Sequence, residues 1–83
     1  MITAFVLIVV KSGEKDKVYE KLKNHPMVKE VYKVFGGYDV IVKIEVEDIS
    51  KLDDFRNKVL GKIREVVMSE IIIARESFRG KKG

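Results

Sequence analysis

A chain of 83 residues has room for one domain. It has no cysteine and a single histidine, His25, which excludes a disulfide framework, a thiolate metal site and a His-rich metal site. Oligomerisation is left as the way to add buried surface to a domain that alone hides only about 60–65% of its unfolded surface.

Lys+Arg exceeds Asp+Glu by 17 to 13, a net charge of +4. Much of the excess sits in Arg79-Gly80-Lys81-Lys82-Gly83, so residues 1–78 read as a near-neutral domain and 79–83 as a solvated basic tail. Met1 leads straight into apolar sequence with no basic segment before it, and the longest apolar run, Ala4 to Val10, is too short for a bilayer. The expectation is a cytoplasmic protein with no membrane partner. Glutamine is absent and asparagine occurs only at Asn24 and Asn57, which suits a thermophile.

Residues Ile2 to Val10 are β-branched or apolar nearly throughout, the pattern of a strand covered on both faces. Ser12 is placed to cap a first helix carrying Glu14 and Asp16 in its first turn, with Val18 and Leu22 facing inward. Asn24-His25-Pro26 ends that helix. Val28 to Phe35 reads as a second strand. Across Gly36-Gly37 a third follows, with Val40, Val42, Ile44 and Val46 on one face and Lys43, Glu45 and Glu47 on the other. Ser50 suits the cap of a second helix, with Asp53 three residues on and Leu52, Phe55, Val59 and Ile63 as one stripe. Val66 to Arg75 forms the last strand, again apolar on both faces.

The order β-α-β-β-α-β predicts an α+β, ferredoxin-like sandwich: a four-stranded antiparallel sheet with two helices on one face. Either Thr3, Phe5, Leu7 and Val9 or the alternating set Ile2, Ala4, Val6, Ile8 and Val10 then lacks cover within one chain. A patch of that size predicts association of two sheets.

Gly36-Gly37-Tyr38-Asp39 is the most informative tetrapeptide. As a turn, it uses glycine for positive φ and Asp39 to satisfy a backbone N–H. As a site, it offers exposed N–H groups to a carboxylate and a carboxylate to an ammonium, the two ends of a free amino acid. Tyr32, Phe35 and Tyr38 could stack on RNA, but Val40-Ile41-Val42-Lys43-Ile44 lacks the Gly- and aromatic-rich pattern of an RNA-binding third strand, so core packing is favoured. His25 has no Ser or Cys partner nearby in sequence and reads as a helix-end residue.

Val34-Phe35-Gly36-Gly37-Tyr38-Asp39-Val40-Ile41-Val42-Lys43 resembles the Gly-x-Tyr-Asp hairpin and following strand of the Lrp/AsnC (leucine-responsive, feast/famine) regulators' effector domain, the RAM domain. Asp48 to Ile63 and Val66-Val67-Met68-Ser69 are similar to its second helix and the start of its last strand. The resemblance implies sheet-to-sheet dimers of the dimeric α+β barrel type, often assembled into octamers, with small amino acids bound between dimers. Full-length members carry an N-terminal helix-turn-helix, which these residues lack. No specific DNA binding is therefore expected, and co-assembly with full-length regulators is.

The expected ligand residues are Gly36, Gly37, Tyr38, Asp39, Met68, Ser69 and Ile71, the last standing where members often have a second hydroxyl. No charged partner for a charged ligand stands out, which leans toward leucine, isoleucine, valine or methionine. No cofactor and no catalytic centre are expected. The alternative is a small oligomeric enzyme on the same barrel, which would need a buried acid–base group.

Overall fold

The computed structural model describes residues 1–76, 78 and 80. The predicted tail, 79–83, lies outside the described residues except for Gly80. The elements are β1 (Ile2–Val10), α1 (Lys15–Lys23), β2 (Val28–Lys33), β3 (Val40–Val46), α2 (Ser50–Asp54, continued by a π turn Phe55–Val59 and a 3-10 turn Leu60–Lys62) and β4 (Val66–Ile73). The sheet runs β2-β3-β1-β4, antiparallel at every pairing. This is the predicted ferredoxin-like α+β fold.

The period-two pattern sorts the side chains. Ala4, Val6, Ile8 and Val10 of β1 and Val40, Val42, Ile44 and Val46 of β3 are buried under the helices, against Val18, Leu22, Leu52, Phe55, Leu60 and Ile63. Pairing of Phe5 with Lys43 and Ile72, and of Leu7 with Ile41 and Glu70, puts those residues together on the opposite face. Nothing among the described residues lies over that face as a layer, and Phe5, Leu7 and Val9 are only half-buried. The uncovered set is therefore Thr3, Phe5, Leu7 and Val9.

Four local expectations need correction. Ser12 does not cap α1; with Gly13 at φ +80° it forms a turn, and Glu14 holds the cap position without a side-chain bond. Ser50 is already helical, and its hydroxyl donates to Asp48 just before the helix. β2 ends at Lys33, so the β2–β3 connection is the six-residue loop 34–39 rather than a tight two-glycine turn. Finally, Leu60 replaces Val59 in the buried stripe. The Leu60 N–H reaches back to the carbonyls of Phe55 and Arg56, and an i→i+5 turn sets residue 60, not 59, one turn after Phe55.

Candidate functional site

The loop 34–39 closes on itself through the Val34 N–H, which donates to the Asp39 carbonyl at 2.9 Å. It joins β1 through the Asp39 N–H, which donates to the Ile8 carbonyl at 2.8 Å. Gly36 takes φ +133°, a conformation that favours glycine. The N–H groups of Gly36 and Gly37 donate to no backbone carbonyl among the described residues, and a Cβ at either position would meet open space. Two donors at the tip are thus free for a ligand.

Asp39 closes the same loop with one oxygen committed. Its Oδ2 accepts the Val10 N–H at 2.9 Å, so the carboxylate does bind a backbone N–H, but one 29 residues away on β1. Its Oδ1 faces the Lys15 ammonium at 3.7 Å. Lys15 Nζ donates to the Val34 carbonyl at 2.7 Å and lies 4.5 Å from the centre of the Phe35 ring. One lysine from the start of α1 therefore touches three residues of the loop. Phe35 is 97% exposed, against the expectation that it packs in the core. Its ring lies against the Lys15 ammonium instead. Tyr32 is likewise half exposed, its hydroxyl bonded to Glu30 on the same strand.

Tyr38 leaves the loop over the uncovered face. Its hydroxyl donates to Glu70 Oε1 of β4 at 2.8 Å, so the side chain spans β1. The carboxylate holds the phenol above its ordinary range, mainly through that hydrogen bond, because ionisation would set two anions side by side.

Met68 pairs with Val9 on the uncovered face, while Ser69 pairs with Ile8 and Ile71 with Val6 on the helix-covered face. Ile71 packs on the core. Since β1 lies between the hairpin and β4, the two backbones stand about 10 Å apart. The structure thus joins Gly36, Gly37 and Asp39 at one place and links Tyr38 to β4, but it leaves Ser69 and Ile71 on the other side of the sheet within one protomer.

Met68 and Ser69 border a groove of about 490 Å3 whose far wall holds Arg56, Asn57, Gly61 and Arg64 from the end of α2. Neither guanidinium has an acidic partner among the described residues; the nearby Glu65 is bound to Lys21 at 3.1 Å and Asp54 to Lys58 at 3.6 Å. From the sequence alone no charged partner for a charged ligand stands out, and these two cations beside Ser69 are not singled out.

Sequence reasoning missed Lys15, Glu70, Arg56 and Arg64. Only Glu70 carried a visible signal, as the sole charge inside the apolar strand Val66–Ile73. His25 lies at the helix end as expected, its Nδ1 accepting the Met27 N–H at 3.1 Å and its ring edge-on to Phe55.

The family model described as the Lrp/AsnC ligand binding domain matches residues 3–81, and the chain belongs to that family. The HTH-type transcriptional regulator FL11 of Pyrococcus furiosus is 41% identical over 58 residues, which cover 70% of this chain and 38% of that protein. The chain thus spans about two fifths of the curated relative's length.

Among solved structures, FFRP-DM1 is 43% identical with a TM-score of 0.83, covering 89% of this chain and 99% of that one. TTHA0845 from Thermus thermophilus is 31% identical with a TM-score of 0.87, covering 96% and 100%. The fold is also shared by the regulator NMB0573 of Neisseria meningitidis, solved as an L-Met complex, at 12% identity and a TM-score of 0.83 over 95% of this chain and 53% of that one.

Proposed function

We propose that this domain binds a free amino acid at a contact between subunits and acts, through assembly, on transcription regulators that share its fold. The observation that carries the reading is the hairpin: two glycine N–H groups that donate to no backbone carbonyl among the described residues, in the same six-residue loop as a carboxylate with one oxygen uncommitted to hydrogen bonds. The N–H pair fits an α-carboxylate and Asp39 fits an α-ammonium. The regulator NMB0573, which shares this fold, was solved as a complex with L-Met.

Assembly follows from the bare face. A second sheet laid on Phe5, Leu7, Val9, Met68 and Ile72 would bury apolar surface that one chain leaves half open. Further contacts between dimers, as in an octamer, would bring the hairpin of one protomer to Met68 and Ser69 of another, which β1 keeps apart within a single chain. Co-assembly with full-length regulators uses the same surfaces. Specific DNA binding by this domain alone is not part of the reading.

The lean to leucine, isoleucine, valine or methionine rests on Met68 and its apolar neighbours. Arg56 and Arg64 make the acidic amino acids its natural competitors. Thermal shift against the twenty amino acids tests the whole reading. A ligand at 100 times its dissociation constant stabilises by about 2.7 kcal/mol, and no shift with any of the twenty at millimolar concentration would leave a purely architectural domain.

A further inference from the structure

An amino acid is a zwitterion, and the hairpin presents one cation and one anion of its own. Lys15 Nζ and Asp39 Oδ1 stand 3.7 Å apart, beyond hydrogen-bond range. Each is fixed by a stronger contact elsewhere: the ammonium by the Val34 carbonyl at 2.7 Å, the carboxylate by the Val10 N–H at 2.9 Å. Each also keeps unused capacity, since an ammonium has three donors and a carboxylate about four acceptor sites. Their side chains are 26% and 30% exposed, open to a small solute yet partly withdrawn from water.

The charge of such a pair sums to zero, so a lone carboxylate or a lone amine meets attraction from one member and repulsion from the other. Only a solute with both charges a few ångströms apart gains from both. The free N–H groups of Gly36 and Gly37 add donors on the carboxylate's side but no net charge.

We infer that Lys15 binds the effector's α-carboxylate, alongside the glycine N–H groups, while Asp39 binds the ammonium, and that this pair makes the site selective for zwitterions over amines and simple acids. Phe35, against the lysine, limits the directions in which the ammonium can point. The inference rests on the amino-acid reading above and adds to it a residue from outside the hairpin.

The test compares L-leucine, L-methionine and L-glutamate with L-leucinamide, L-methioninamide and L-isoglutamine, whose α-carboxylate is an uncharged amide. Calorimetry is run on the full chain at matched oligomeric state for wild type, Lys15→Gln and Lys15→Arg. Gln keeps a donor for the Val34 carbonyl and so preserves the loop while removing the charge; circular dichroism checks the fold.

Wild type is expected to prefer an amino acid over its amide by roughly tenfold or more, the scale of one hydrogen bond to a charged group. Lys15→Gln is expected to lose most of that preference, and Lys15→Arg to restore it. A Lys15→Gln protein that keeps the full wild-type preference overturns the role of Lys15 and leaves the amino-acid site standing. Wild type binding amino acid and amide equally overturns both Lys15 and the glycine N–H groups as the seat of the carboxylate. Binding of none of the three amino acids, with none of the twenty giving a thermal shift, removes both readings.

Discussion

The two faces of the sheet are built from the same strands and differ in what closes them. On the covered face, eight alternating residues of β1 and β3 meet helix side chains and are buried. On the bare face, Thr3 pairs with Glu45, Phe5 with Lys43, Leu7 with Ile41 and Glu70, and Val9 with Met68. Charges there are held by local partners: Glu30 lies 3.9 Å from Lys43, and Glu70 takes the Tyr38 hydroxyl. A face left for solvent would alternate toward polar residues, and a core face would exclude charge. This one is mixed, which fits the proposed contact with a second subunit.

The difference can be broken from either side. Leu7→Asp is expected to have the largest effect on assembly: a charge placed amid the apolar residues of a sheet-to-sheet contact costs several kcal/mol. Light scattering then reads monomer while circular dichroism keeps the folded signal; an oligomer that survives the change would show that the bare face is not the contact. Ile8→Ala, one residue along and fully buried, is expected to lose about 2–5 kcal/mol in chemical denaturation. A loss as small as that of a surface change would mean that the covered face is loosely packed.

The hairpin gives a finer comparison. Asp39→Ala is expected to lower stability by about 1 kcal/mol or more through the orphaned Val10 N–H. Asp39→Asn keeps an acceptor there and is expected to lose amino-acid binding with less harm to the fold. Equal stability of the two variants would show that the Val10 bond carries little.

The smallest effect is pH-dependent. The hydrogen bond from Lys21 holds the Glu65 carboxyl below its ordinary value of 4.5, with Lys17 adding charge attraction. A depressed carboxyl stabilises the fold at pH above that ordinary value, and the contribution disappears as pH falls through the folded one. Glu65→Gln is therefore expected to be less stable than wild type near neutrality and to converge with it in acid. Parallel curves down to about pH 2 would mean that the Lys21 contact is not the cause.

Order and facing of the elements were legible because both are periodic: two residues for a strand, between three and four for a helix. That logic found Ala4, Val6, Ile8 and Val10 against Thr3, Phe5, Leu7 and Val9 without any contact map. It could not find Lys15, because nothing in the local pattern distinguishes that lysine from Lys11, Lys17 or Lys21; its role arises when α1 is laid beside a loop 19 residues on. Tyr38 and Glu70, 32 residues apart, are joined in the same way by the sheet order. Leu60 was missed for a different reason: an even count of about 3.6 residues per turn runs past a turn that holds one residue more.

That wide turn in the second helix has a bearing on heredity. The turn between Phe55 and Leu60 holds one residue more than an ordinary helical turn, and a short 3-10 turn follows with Leu60 and then Ile63 still inward. Removal of one residue from positions 56 to 59 would leave an ordinary helix over the same core. At such a segment the loss of one codon is expected to leave the domain folded, and a one-residue deletion with near wild-type stability in chemical denaturation checks it. What changes is the outline of the bank that Arg56 and Asn57 present beside the last strand.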